Sequence, residues 1–124
     1  VGAHLSGQPL NSQLIERNAV RLGSARTASG YRLYVLSGNA PPKPGLVFDG
    51  EGAGAIEVEV WRMPEAAFGS FVAQIPPPLG IGTLTLEDGR RVKGFLCEAY
   101  AVRGAEDITA FGGWRAWLRR TAVA

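Results

Sequence analysis

Ala55-Ile56-Glu57-Val58-Glu59-Val60-Trp61 alternates along its whole length, with no glycine or proline to break it. Successive side chains of a strand point to opposite faces. Ile56, Val58 and Val60 therefore share one face, and Glu57, Glu59 and Trp61 share the other. A strand of this kind needs strand neighbours on which to bury one of its two rows. In a curled sheet either row can be the inner one.

The neighbours can be read on both sides. Tyr31-Arg32-Leu33-Tyr34-Val35-Leu36 is rich in strand formers and alternates. Arg21 to Thr27 forms a shorter strand and Leu46-Val47-Phe48 another, the latter followed by a glycine-rich turn from Asp49 to Gly54. Gly82 to Leu86 and Arg91 to Glu98 flank Asp88-Gly89, a hairpin signal, and Ala99 to Val102 can extend the second arm. Gly38 to Gly45 reads as a loop stiffened at Pro41-Pro42-Lys43-Pro44-Gly45, because each proline fixes its own φ and restricts its predecessor. Three helices remain. Leu10, Leu14 and Ile15 have helical spacing, with Pro9 suited to the first helical position and an end near Asn18. Pro64 opens a helix whose apolar face is Phe68, Phe71, Val72 and Ile75, and Pro76-Pro77-Pro78 closes it. After a turn at Asp107, Trp114, Trp117 and Leu118 mark a basic C-terminal helix. Hairpins dominate. The expected class is α+β, with a mostly antiparallel, barrel-like small sheet and peripheral helices.

Residues 1–124 fit a single domain with one core. The formal charge of +2, with acids and bases interspersed, speaks against nucleic acid or an anionic membrane as partner. Cys97 is the single cysteine; in the apolar run Gly94-Phe95-Leu96-Cys97 it reads as a small buried hydrophobe. One histidine and one cysteine cannot assemble a metal site. No run approaches the ~20 apolar residues of a membrane span. With no signal peptide visible, the cytoplasm is the expected compartment.

The lone histidine lies in the opening stretch Val1-Gly2-Ala3-His4-Leu5-Ser6-Gly7-Gln8-Pro9-Leu10-Asn11. It reads as a strand end, a tight loop and a helix start, a place where free backbone N–H groups hold anions. The motif begins almost at the first residue, so the domain is expected to follow something upstream.

These blocks resemble the C-terminal domain of allophanate hydrolase. Gly2-Ala3-His4-Leu5-Ser6-Gly7 with Pro9-Leu10-Asn11 is similar to its opening. Pro42-Lys43-Pro44-Gly45-Leu46, Glu57 to Trp61, Ile75 to Gly82, Gly94-Phe95-Leu96-Cys97-Glu98 and Phe111-Gly112-Gly113-Trp114-Arg115 resemble later blocks in the same order. The resemblance implies a fold like the gamma-glutamyl cyclotransferases and a part in urea breakdown. There, an upstream amidase domain hydrolyses allophanate and this domain decarboxylates the resulting N-carboxycarbamate. No amidase Ser-Ser-Lys set can be placed here. The cyclotransferases' glutamate base is also missing, since Phe68-Gly69-Ser70-Phe71-Val72-Ala73 holds no acid. That argues against gamma-glutamyl cyclotransferase activity, because fold does not carry function.

N-carboxycarbamate is a small dianion whose C–N bond breaks once nitrogen is protonated. His4 is the expected catalytic proton donor, titrating near neutrality. Ser6, Gly7, Gln8, Pro9 and Leu10 are expected to bind substrate through the loop backbone. Lys43 would pin a carboxylate as a point charge. Glu59 is expected among the substrate-binding residues and, if it faces inward, needs a partner: His4, a lysine or an arginine. Trp61 and Trp114 read as core, and Arg115 as structural. No cofactor is expected. The alternative is a non-catalytic module that binds the amidase half, or that pairs as a homodimer.

Overall fold

The computed structural model describes residues 1–36 and 42–123. In chain order the elements are α1 (Ser12–Ile15), β1 (Val20–Arg26), β2 (Gly30–Leu36), β3 (Lys43–Gly52), β4 (Glu57–Arg62), α2 (Glu65–Ala73), β5 (Leu79–Thr85), β6 (Arg91–Cys97), β7 (Glu106–Asp107) and α3 (Trp114–Val123). The class is α+β and every strand pair is antiparallel, as the alternation predicts. The hairpin around Asp88-Gly89 is β5–β6, in register from Leu79↔Cys97 to Thr85↔Arg91.

The barrel expectation is corrected. The strands form three small sheets, ordered β1-β4, β3-β2-β7 and β5-β6, and the ring does not close. Closure needs an unbroken ladder of strand pairs. Here the first and last sheets touch through one isolated bridge, Thr27↔Leu86. On the far side, among the described residues, β4 pairs only with β1, and β6 only with β5. An open groove of about 410 Å³ lies there, lined by Trp61, Met63 and Phe68 on one side and Val92 and Lys93 on the other.

Local corrections have local causes. The first helix is one turn, and Pro9 and Leu10 lie outside it. Leu10 N–H donates to the Ala3 carbonyl at 2.8 Å, so the opening stretch folds on itself and does not lengthen α1. The helix ends at Ile15, short of the expected end near Asn18; the turns after it close at Asn18, whose φ is +59°, and Ala19 N–H reaches back to the Leu14 carbonyl at 3.1 Å. Lys43, Pro44 and Gly45 belong to β3 and not to a loop; residues 38–41 of that expected loop lie outside the described residues. The expected turn from Asp49 is a bulge inside β3, where pairing jumps from Tyr31↔Phe48 to Gly30↔Gly52. The Asp49 carboxylate accepts the N–H groups of Glu51 (2.8 Å) and Gly52 (2.9 Å) that the ladder leaves unpaired. At Gly54 the chain then turns with φ +71°, and a Cβ there would collide with the Ala28 carbonyl oxygen. Ala99–Val102 is a 3₁₀ turn and does not extend β6.

The main core gathers Leu5 of the opening stretch, Tyr31, Leu33 and Leu46 of the β3-β2-β7 sheet, Ile56 just before β4, Leu84 of β5, Ile108 just after β7, and Trp114 and Trp117 of α3. A second cluster of Leu14, Ala19 and Phe71 packs α1 against α2, with Trp61, Phe68, Ile75 and Phe95 around it. Cys97 is buried, as read from its apolar run, and burial pushes its thiol pKa up.

Thr27 is buried where β1 hands over to the bridge. Its Oγ1 accepts the Ile56 N–H at 3.2 Å, while its own N–H donates to the Ile56 carbonyl at 3.0 Å. Thr27→Val keeps the shape but orphans the Ile56 N–H. It should cost about 1–3 kcal/mol in urea unfolding, the range for an unsatisfied buried donor. Thr27→Ser keeps the acceptor and should cost less; equal losses for the two would show that the bond contributes nothing.

Candidate active site

The opening stretch is held by its own backbone. Leu5 N–H donates to the Gly2 carbonyl (3.0 Å), Gln8 N–H to Leu5 (2.9 Å) and Leu10 N–H to Ala3 (2.8 Å). The Asn11 amide caps the His4 carbonyl at 2.9 Å. Of the N–H groups between Ser6 and Leu10, those of Ser6, Gln8 and Leu10 are all taken within the protein. Three of the four N–H groups expected to hold an anion are therefore not free to do so. A one-turn helix also has too few aligned peptides to sustain an N-terminal field. Gly7 and Pro9 are exposed, and neither they nor Gln8 lines either cavity beside His4.

Glu59 takes the Ser6 N–H. Its side chain is only 3% exposed. Oε1 accepts from Ser6 N–H (2.8 Å), Ser6 Oγ–H (3.0 Å) and the Trp61 indole N–H (3.2 Å). Oε2 accepts from the Arg115 guanidinium at 3.0 Å and faces the Arg21 guanidinium at 3.6 Å. Arg115 also donates to the Ser6 carbonyl at 2.7 Å and to Glu57 at 3.2 Å. It reaches them because Gly112-Gly113 starts α3 directly against β4, with Glu57 N–H donating to the Gly112 carbonyl at 2.8 Å. Burial pushes the Glu59 carboxyl pKa up. The Ser6 N–H, the Arg115 guanidinium, the Ser6 hydroxyl and the Trp61 indole outweigh it and bring the pKa down to about 2. Glu59 thus has the cationic partner its alternation demanded. Both of its oxygens are spent on the fold.

His4 stands on the other side of this anchor. Its ring stacks on Phe95 (centroids 4.8 Å apart, 15°) and meets Phe71 edge-on at 5.3 Å. Nε2 is 2.6 Å from the Gln13 amide oxygen. Burial lowers the imidazole pKa below its ordinary 6.5; the Gln13 bond opposes the shift, and nearby Arg17 and Lys43 add to it. The ring forms one wall of a cavity of about 90 Å³ that Leu10, Gln13, Lys43, Gln74 and Phe95 also line. A water needs roughly 10–15 Å³ of such space, so a molecule of several heavy atoms fits. Among the described residues, no aspartate or glutamate lines this cavity. On its other side the His4–Phe95 pair borders an apolar cavity of about 130 Å³ that Phe68, Phe71 and Val92 line, with Glu59 at its wall.

Of the residues singled out in the sequence, the structure brings His4, Leu10 and Lys43 to one cavity. Ser6 and Glu59 meet one another at the anchor instead. Gln13, Gln74 and Phe95 escaped the sequence reading. Gln13 lies nine residues from His4 and Phe95 ninety-one, on α1 and β6, and no local motif joins them. The spacing of Arg115 after two glycines was visible, but its target was not.

Arg115→Ala would leave Glu59 buried without its main cation. A loss of about 3 kcal/mol is expected, the low end for breaking a buried pair, since Arg115 keeps some exposure. Glu59 has a depressed folded-state pKa, so its stabilisation is full above its ordinary 4.5 and is lost as pH falls toward about 2. In Arg115→Ala the folded-state pKa of Glu59 moves back up toward its ordinary value, so less stability should be lost on acidification and the two curves should converge as pH falls. Urea midpoints measured from pH 7 to pH 3 check both points, and parallel curves for the two proteins would refute the pairing.

Comparison with known proteins gives the family. The family model described as the allophanate hydrolase C-terminal domain matches residues 1–119. The urea amidolyases of Lachancea kluyveri and Saccharomyces cerevisiae are each 46% identical over 95% of this chain, which spans only 7% of their length. The allophanate hydrolase of Kluyveromyces lactis superposes with a TM-score of 0.91 at 44% identity, covering 98% of this chain and 20% of that one. A uropathogenic E. coli-specific protein superposes at 0.85 with 31% identity, and there the match covers 94% of this chain and 90% of the other. The chain belongs to the allophanate hydrolase C-terminal domain family.

Proposed function

We propose that this domain decarboxylates N-carboxycarbamate in the breakdown of urea by way of allophanate, and that the cavity between His4 and Lys43 is its site. One observation carries the reading: the cavity wall combines a histidine, a lysine and two amides with no carboxylate. Such a wall suits a small dianion and repels nothing in it. The relatives named allophanate hydrolase and urea amidolyase supply the reaction class. We take the open arrangement as a relative of the gamma-glutamyl cyclotransferase fold, with the cytoplasm as its compartment.

The chemistry follows from the charges. Burial lowers the His4 pKa below 6.5 and so favours the neutral imidazole near pH 7. A bound dianion favours the imidazolium, as any close opposite charge does, so binding draws in the proton that catalysis needs. Lys43 holds one carboxylate, and Gln74 is placed at the same wall to orient it. The imidazolium gives its proton to the nitrogen as the C–N bond breaks. The bond pair stays on nitrogen, one carboxylate leaves as CO2, and carbamate remains. Nitrogen accepts the electron pair itself, so the step asks for no cofactor. Ser6 and Glu59 hold the opening stretch in place, and Gly7, Gln8 and Pro9 shape the turn. The substrate would come from an amidase half.

One observation favours the docking reading as a companion. Ile15, Val20 and Leu22 are each at least half exposed around the start of β1. That apolar stretch suits the surface of an amidase half or of a second copy. It lies apart from the cavity lining, so the two roles can be separated.

His4→Asn should leave the fold intact and lower domain-dependent CO2 release by roughly 10²-fold or more, the range for a lost general acid. The assay supplies N-carboxycarbamate from an amidase half and subtracts spontaneous breakdown. Lys43→Gln should weaken binding of malonate, the carbon isostere that cannot decarboxylate, by about tenfold, the equivalent of one modest ionic contact. A folded His4→Asn protein with wild-type CO2 release would leave docking as the function.

A further inference from the structure

The Gln13 side chain has no place in the reaction as written, yet it makes the shortest polar contact of the cavity. Its Oε1 lies 2.6 Å from His4 Nε2. A carbonyl oxygen only accepts, so the nitrogen facing it carries hydrogen. The ring cannot turn away easily: Phe95 stacks on it and Phe71 meets it edge-on. Gln13 belongs to α1, and its own carbonyl accepts from the Arg17 guanidinium at 3.0 Å, which ties this residue to the end of the helix. We infer that Gln13 is a positioning residue that keeps hydrogen on His4 Nε2 and so makes Nδ1 the nitrogen that exchanges its proton with substrate.

This inference rests on the proposed decarboxylation and adds the atom that does the work. With Nε2–H committed to Gln13 in both protonation states, the imidazolium can release only its Nδ1 proton. That proton goes to the carbamate nitrogen as the C–N pair arrives there. The imidazole left behind is already the Nε2–H tautomer that Gln13 stabilises, and no ring flip is needed before the next turnover. An amide suits this task better than a carboxylate. It accepts the bond without placing a second negative charge beside a dianion.

The test reverses the polarity of the contact. Gln13→Lys puts only donors at this position, so Nε2 must become the acceptor and the hydrogen must move to Nδ1. Gln13→Glu keeps an acceptor. The ring is read by 15N NMR with labelled histidine at about pH 8, where an ordinary imidazole of pKa roughly 6.5 is neutral. Malonate binding and CO2 release are measured on the same proteins. Wild type and Gln13→Glu should show the Nε2–H tautomer, and Gln13→Lys the Nδ1–H tautomer. Gln13→Lys should bind malonate at least as well as wild type, because it adds a cation, while its turnover falls roughly tenfold or more, part of what a general acid contributes. Gln13→Glu should show the opposite split, with weaker malonate binding and turnover closer to wild type. A purely structural glutamine would not produce opposite splits. The inference is overturned if wild type shows the Nδ1–H tautomer, or if Gln13→Lys keeps both the wild-type tautomer and the wild-type turnover. Wild-type protein that shows the Gln13-dependent tautomer but no CO2 release above background would instead refute the decarboxylation reading, so the two failures are distinguishable.

Discussion

The buried pair of Glu59 and Arg115 is the constraint on which the rest of this domain depends. Removing two charges from water costs several kcal/mol per ion, and the attraction offsets that only when the remaining lone pairs and protons are bonded. Here they are. Glu59 takes Ser6 twice, Trp61 once and Arg115 once, and Arg115 adds the Ser6 carbonyl and Glu57. The pair therefore ties three distant parts of the chain together: the opening stretch, β4 and α3. Leu5 beside it is 1% exposed and sits in the main core, so the polar anchor and the apolar core hold the same segment down.

What this anchor delivers is the position of His4. The histidine is two residues from Ser6, and its ring is wedged between Phe95 of β6 and Phe71 of α2. An opening stretch that drifted would carry the imidazole out of line with Lys43 on β3. The two cavities share the His4–Phe95 wall. Glu59 lines the one of about 130 Å³, where a dianion would meet a carboxylate, and no carboxylate among the described residues lines the one that holds Lys43. Positioning of this kind is how a fold with few titratable groups can still direct a proton.

Much of the fold was legible. The alternation from Ala55 to Trp61, the aromatic run from Tyr31 and the Asp88-Gly89 turn each rest on a local rule, and each became the strand or hairpin it implied. The barrel did not follow, because closure depends on pairing between β4 and β6, and no local pattern records whether distant edges meet. The site was half legible. His4 and Lys43 stood out by chemistry, and they do share a cavity. For the loop from Ser6 to Leu10, the glycine and proline spacing predicts a turn without saying which N–H groups the turn consumes, and those of Ser6, Gln8 and Leu10 are bonded within the protein. Glu59 shows the same limit: the alternation said it needed a partner, and only the fold could say that the partner was Arg115.

The coupling between anchor and histidine can be measured directly by titrating the His4 ring by NMR in the wild-type protein and in Glu59→Gln. Glu59→Gln keeps the shape of the side chain and removes its charge. In the wild type the ring should titrate below the ordinary 6.5. Because this histidine is held neutral, it withdraws stability as pH falls below 6.5. In Glu59→Gln the opening stretch should loosen, the ring should gain water, and its pKa should rise toward 6.5 while the β2–β3 amide resonances stay in place. An unchanged His4 pKa with unchanged ring shifts from Phe71 and Phe95 would contradict the dependence of the site on the buried pair.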